Sequence, residues 1–279
     1  MPRTRSSRPA AALAAALALA ATVAGVAACS RPEASVRAVS PRRSLSATIV
    51  LETPSMGTAS PATAAPTPAP RPTPTRVAAC HPSGKPVPVA TPPAETATRA
   101  ARAWRRIEAW LARHAPRSAR SLPGPASSSA IARAQRRLGR PLPPDLVASL
   151  RVHDGVRDSS GAFTFPPFYA PLSAARIPGE WRMMCGVLES GGPAPPGDWL
   201  PPYTPFATAN DGGLLYTDQR QGQGGHTGEY FAEEGASAAG WPGSYAALLE
   251  WTASLLETGR RGPSGFHAAA HRGVLEWKP

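Results

Sequence analysis

Lysine is nearly missing from this 279-residue chain: Lys85 and Lys278 are the only two, so arginine supplies almost all of its 30 basic residues. Cysteine is also scarce. Cys29, Cys80 and Cys185 stand too far apart for the paired spacing of a structural zinc site. No glycine-lysine phosphate loop, nucleophile elbow or two-histidine metal helix occurs, which removes the chemistries those motifs carry. Aromatic residues make up 6% of the chain and form no base-stacking platform among the arginine clusters, so no nucleic-acid partner is expected. Beyond residue 28 there is no further apolar run of membrane length and no internal repeat.

What is abundant divides the chain into three parts. Residues 1–28 open with Arg3, Arg5 and Arg8, continue through an alanine- and leucine-rich stretch from Ala10 to Ala28, and stop at Cys29. Positive charge, an apolar helix-former run and small residues before a cysteine resemble a bacterial lipoprotein export signal. That resemblance implies cleavage before Cys29, lipidation of its thiol, and a protein held on the outer face of the cell membrane, since several acyl chains anchor where one does not. An uncleaved anchor is the competing reading, because about 19 residues at about 1.5 Å each just span hydrocarbon.

Residues 29–94 are crowded with proline, alanine, threonine and serine, as in Ala65-Pro66-Thr67-Pro68-Ala69-Pro70. Such a composition buries too little apolar surface to offset ordering entropy and favours polyproline II, so it is expected to be a disordered spacer. Its reach would be on the order of 45 Å as a coil and about 200 Å fully stretched. Thr48-Ile49-Val50-Leu51 alone has strand character. Residues 95–279 then suit one compact domain with its own core.

Charge is unevenly spread. The net +12 comprises three arginines on residues 1–28, eight basic against three acidic residues on 29–100, and 19 against 15 on 101–279. Within the domain, Arg102 to Arg151 holds 11 arginines against Glu108 and Asp145, whereas residues 152–279 hold 8 basic and 13 acidic residues. A dipolar module follows. The arginines at 102, 105, 106 and 113 and at 133, 136, 137 and 140 fall mainly off the apolar stripes, as a solvated face or as a surface attracted to anionic lipids, wall polymers or an acidic partner.

Periodicity places the elements. Thr96 or Thr98 caps a helix with Ala100, Trp104, Ile107, Leu111 and His114 on one face and Pro116 after its end. Ser127 to Ser129 start a second helix that carries Ile131, Ala134 and Leu138 and stops at Gly139. Pro143-Pro144 opens a short third with Leu146 and Leu150, closed near Gly155. Ile177, Trp181, Met184 and Leu188 keep helical spacing with an entry kink at Pro178, and Ser244 caps a last amphipathic helix from Tyr245 to Leu256, ended by Gly259. Ala162–Phe165, Leu214–Thr217 and Thr227–Phe231 read as strands. The predicted fold class is α+β: N-terminal helices, a central antiparallel sheet and a C-terminal amphipathic helix.

The run Ile131-Ala132-Arg133-Ala134-Gln135-Arg136-Arg137-Leu138-Gly139-Arg140-Pro141-Leu142-Pro143-Pro144-Asp145-Leu146, followed by His153-Asp154-Gly155, resembles the opening of the SUKH superfamily. That superfamily includes the yeast Smi/Knr cell-wall assembly regulators and many bacterial immunity proteins. Trp199-Leu200-Pro201, Pro205-Phe206-Ala207 and Asn210-Asp211-Gly212-Gly213 through Asp218 follow in the order of its tryptophan, proline-phenylalanine and aspartate-glycine-glycine hairpin. Ser244 to Leu249 resembles its closing helix, and Gly273 to Trp277 its tail, so the resemblance runs from about Trp104 to Trp277. Trp199, Asp211, Gly212, Gly213 and Asp218 are the family-motif positions, in a binding or structural role. The chain departs from the pattern in its proline-rich 193–205 and its long glycine-glutamine turn, Gln219 to Gly225.

Other chemistry finds little footing. Adjacent His153 and Asp154 at a helix end point apart, so no catalytic pair is expected there. Asp211 with Asp218 suits a hairpin better than a calcium loop, and His226, Glu229, Glu233 and Glu234 offer at most a weak divalent site. The expectation is no catalytic residue, no metal and no cofactor. Cys80 and Cys185 either pair after export or leave Cys185 packed as a buried hydrophobe; the second is favoured, since nothing in the sequence marks them as neighbours. The resemblance implies a non-enzymatic domain that binds a protein partner, a toxin in an immunity role or, alternatively, an envelope or cell-wall assembly component, with the membrane contacted through the lipid.

Overall fold

The computed structural model describes residues 76–157, 160–191, 197–262 and 264–279. Cys29 with the expected export signal, Thr48–Leu51 and most of the expected spacer lie outside the described residues. Among the described residues, no helix is long and apolar enough to cross a membrane.

Helix α1 (Ala94–His114) begins behind Pro93, whose extended backbone ends the preceding segment. The expected threonine cap is not used: Thr98 lies inside the helix and its hydroxyl donates to the Ala94 carbonyl at 2.8 Å. Ala100, Trp104, Ile107, Trp110 and Leu111 face the core, whereas His114, expected on that stripe, is exposed. Pro116 opens the single turn α2 (Pro116–Ala119).

Helix α3 (Ser128–Leu138) has the expected cap: Ser127 Oγ accepts from the Ala130 N–H, and Gly139 closes the helix at φ 70°. A side chain at Gly139 is doubly barred, since a Cβ there would stand 2.5 Å from Cβ of Pro82. Helix α4 (Pro144–Leu150) starts on proline as expected but stops short of Gly155. Helix α5 (Ile177–Ser190) takes Pro178 into its first turn, where no N–H is needed, so the proline starts the helix without a kink. Helix α6 (Tyr245–Thr258) is capped by Ser244 and closed by left-handed Gly259.

Strands β1 (Ala170–Pro171), β2 (Tyr203–Thr208), β3 (Leu214–Asp218), β4 (Thr227–Phe231) and β5 (Gly235–Ser237) form an antiparallel sheet in sequence order. With the helices this is the expected α+β class. Pro205 sits inside β2, where the register slips between Pro205 and Ala207, so the missing N–H falls at an irregularity of the ladder. Strands β6 (His267–His271) and β7 (Val274–Lys278) make a separate hairpin, tied to α2 by Leu275 N–H donating to Ser118 Oγ.

The expected strand at Ala162–Phe165 is not formed. Phe163 and Phe165 are buried, but only Phe165 makes a bridge, to Tyr169 across Pro166-Pro167, and two prolines leave that turn without donors for a longer ladder.

Helix α1 packs on α4 and α6, and one polar chain crosses this layer. Trp104 Nε1 donates to Ser149 Oγ at 2.8 Å, and that hydroxyl donates to Tyr245 Oη. Burial pushes the Tyr245 phenol well above its ordinary pKa, which keeps it neutral in the core.

The spacer reading to residue 94 also needs correction. Cys80 and Cys185 are joined as a disulfide with 5.6 Å between their Cα atoms. Cys185 is therefore buried as a partner and not as a free hydrophobe. Around this link Glu189 accepts from the Val77 N–H at 2.8 Å and meets His81 at 2.7 Å, which holds its carboxyl below the usual range. Farther along, buried Gln135 donates to the carbonyls of Val87 and Pro88 and accepts from the Leu142 N–H. A proline-rich strap crosses α3 and α5: its backbone carbonyls go to one glutamine that faces inward from α3, a long-range match invisible to composition.

Candidate functional site

Helix α1 begins, α4 begins and α6 begins around one groove of about 590 Å³, and the β3–β4 loop forms its other wall. Asp145 organises the floor. Its Oδ1 accepts from the Leu146 N–H at 2.9 Å and its Oδ2 from the Ala246 N–H at 3.1 Å, so one carboxylate serves the first turns of α4 and α6. Negative charge is favoured there by both helix dipoles. The loop wall runs from Gln219 through Gly222, Gly224 and Gly225, whose positive φ angles of 82°, 56° and 77° at the last three need glycine.

Behind Gln219 lies Arg140, mostly withdrawn from water. Its Nε donates to Gln219 Oε1, and one terminal nitrogen donates to the Tyr203 carbonyl and Thr204 Oγ1, each at 3.0 Å. The guanidinium also lies over the Trp181 ring, 5.2 Å from its centroid. Among the described residues no carboxylate pairs with it. Burial against neutral acceptors pushes its pKa down to about 10, and it still carries its charge at neutral pH. It faces a second hollow of about 400 Å³, walled by Ala78, Pro82, Pro201 and Pro202, that shares Gln219 with the groove. Arg140 belonged, by periodicity, to a solvated face. The signal against that was Gly139: a left-handed stop turns the chain, so the next residue leaves the face of α3.

The family-motif positions do not converge. Trp199, 1% exposed, is packed edge-on by Tyr203, Tyr216 and Tyr230, with centroids 5.5, 5.9 and 5.6 Å away. Asp211 Oδ1 accepts from the Gly213 N–H, and Gly212 takes φ 91° in the turn before β3. Gly213 is required by contact, since a Cβ would stand 2.6 Å from the Phe231 ring. Asp218 ends β3 at the far side, where it pairs with Arg220 at 2.6 Å. Asp211 and Asp218 thus cap opposite ends of one strand, on the order of 15 Å apart.

His153 and Asp154 diverge. The imidazole contacts the Pro123 carbonyl and Glu108, both at 2.6 Å, whereas Asp154 Oδ1 accepts from the Ala174 N–H. Among the described residues no group of three or more His, Cys, Asp or Glu gathers as a metal would require.

Of the four segments at the groove, the start of α4, the β3–β4 loop and the entry to α6 up to Tyr245 lie in one stretch that resembles a known family. Residues 125–245 match the SMI1 / KNR4 family (SUKH-1). The match is narrower than the resemblance from Trp104 to Trp277, and leaves α1, most of α6 and the last hairpin outside it. No curated protein matches the chain. Within the SUKH-1 segment fall Arg140, Asp145 and Gln219 as well as all five motif positions.

Proposed function

We propose that this domain is a non-enzymatic protein-binding module that takes a partner into the groove between the starts of α1, α4 and α6 and the β3–β4 loop. The observation that carries it is the SUKH-1 match over the segments that build the groove's floor and loop wall. The glycine-rich loop supplies backbone groups and little side-chain bulk, which suits contact with a protein surface. Immunity against an incoming toxin is the leading role. The same family match supports a second, a cell-wall or envelope assembly scaffold, and the partner's identity separates the two.

The proposal places the domain outside the cytoplasm, on a lipid attached to Cys29. The Cys80–Cys185 disulfide supports that placement, because such links persist in oxidising compartments and are rare where thiols are kept reduced. In the test, the full-length chain carries a photocrosslinker at Gly222 in intact cells. Recovery of one protein, lost when Asp145→Ala displaces the groove floor, is the expected result; an uncrosslinked chain at native abundance overturns the binding role. Incorporation of an alkyne-tagged fatty acid that disappears in Cys29→Ala tests the anchor.

A further inference from the structure

A second cleft lies toward the other end of β3. It has a volume of about 250 Å³ and is lined by Trp241, Trp251, Pro167 and Glu229. The Trp241 and Trp251 rings meet at 75° with centroids 6.2 Å apart, and Tyr169 stands edge-on to Trp241 at 5.9 Å. The two indoles, set nearly at right angles, make a corner and not a flat stack, with Tyr169 fully buried behind Trp241. Both tryptophans are only partly buried, so the corner is open.

Glu229 lies at its wall. Tyr169 Oη donates to Glu229 Oε1, and among the described residues no cation pairs with this carboxylate. The surroundings are negative as well: the charges of Asp211 and Glu234 reach Tyr169, whose phenol is pushed far up, first by burial and then by the hydrogen bond to Glu229. An unpaired carboxylate between aromatic faces is half of an interaction. The complementary half is a cation with flat, weakly hydrated faces.

We infer that the cleft of Trp241, Trp251 and Glu229, with Tyr169 buried behind it to hold the carboxylate, is a receptor for an arginine side chain of a protein partner. A guanidinium stacks on indole while its edge donates to a carboxylate, and it loses less hydration than an ammonium when it does so. The cleft shares no lining residue with the groove.

The experiment titrates the full-length protein with the blocked tripeptide Gly-Arg-Gly and follows the tryptophan indole N–H resonances by NMR. The expected result is saturable shifts of the Trp241 and Trp251 signals, with at least tenfold weaker binding of the isosteric citrulline peptide and of the arginine peptide to Glu229→Gln. The glutamine still offers an oxygen to Tyr169, and unchanged remaining indole signals report its fold. If that variant loses its fold, Trp241→Phe, expected to weaken binding severalfold, replaces it. Equal response to arginine and citrulline, full affinity in Glu229→Gln or in a folded Trp241→Phe, or equal affinity for tetramethylammonium overturns the assignment.

Discussion

The two ends of strand β3 place opposite charges under opposite conditions. At the Asp218 end, Arg140 is a cation withdrawn from water, its Nε and one terminal nitrogen donating to neutral protein oxygens, behind a loop of glycines. At the Asp211 end, Glu229 is an anion held by one phenol and open to a cleft of indoles. A buried charge held by three protein oxygens is part of the scaffold, whereas one held by a single phenol is available. The difference teaches that charge type alone does not mark a site; the number of partners still unmade does.

The largest test of this contrast removes the strap that walls the Arg140 hollow. Cys80→Ser with Cys185→Ser opens a link of sequence separation 105 and is expected to cost about 3 to 5 kcal/mol. A thermal midpoint lower by on the order of 10 °C would report it. Hydrogen exchange should rise across residues 77–89 and leave β4 and the cleft at Glu229 unchanged. Equal loosening of both ends would show that the ends are not independent.

Next in size is Arg140→Ala, which removes the donors to Gln219 Oε1, the Tyr203 carbonyl and Thr204 Oγ1 and opens space under Trp181, although Thr204 Oγ1 still donates to Gln219 Oε1. Three lost hydrogen bonds from a charged donor and the space left under the ring put the loss at about 2 to 4 kcal/mol, read by urea unfolding. Glu229→Gln should lose less than about 1 kcal/mol in the same assay, because its phenol partner keeps an acceptor. If Glu229 proves the costlier of the two, the assignment of scaffold and available charge is reversed.

Much of the helical layer was legible because helices announce their ends locally: Ser127, Gly139, Ser244 and Gly259 each act within a few residues of their own position. Strands β3 and β4 were legible by their residue types beside a glycine turn. The strap was not, because its anchors are Cys185, Glu189 and Gln135, more than 45 residues away in sequence, and proline-rich composition describes only what a segment does when nothing holds it. The motif positions were found, yet their separation along β3 was hidden: a run from Asp211 to Asp218 reads as one feature until the strand between them is given its length. Trp241 and Trp251 drew no notice, since they belong to a loop and to a helix whose stripe was assigned without them.

The smallest expected effect concerns the arginines that do have carboxylate partners. Arg99 and Arg106 reach from α1 to Glu250 and Glu257 on α6 with closest contacts of 2.7 and 2.5 Å, and all four side chains are exposed by more than a third. Each guanidinium, first through its hydrogen bond, holds its glutamate below the usual carboxylate pKa. A depressed folded-state pKa contributes stability above the unfolded glutamate's pKa, near 4.5, and that contribution disappears as pH falls through the lower folded value. Water and salt screen both pairs, so a double-mutant cycle on Arg106 and Glu257 should return no more than about 0.5 to 1 kcal/mol at pH 7, shrinking toward zero below pH 4 and in high salt. Surface pairs of ideal geometry would then rank below Arg140, which has no carboxylate partner among the described residues, because removing it takes three charge-assisted hydrogen bonds from a site withdrawn from water while breaking an exposed pair returns both partners to water. A coupling larger than the Arg140→Ala loss would reverse that order and make the α1–α6 ion pairs the stronger electrostatic element of the fold.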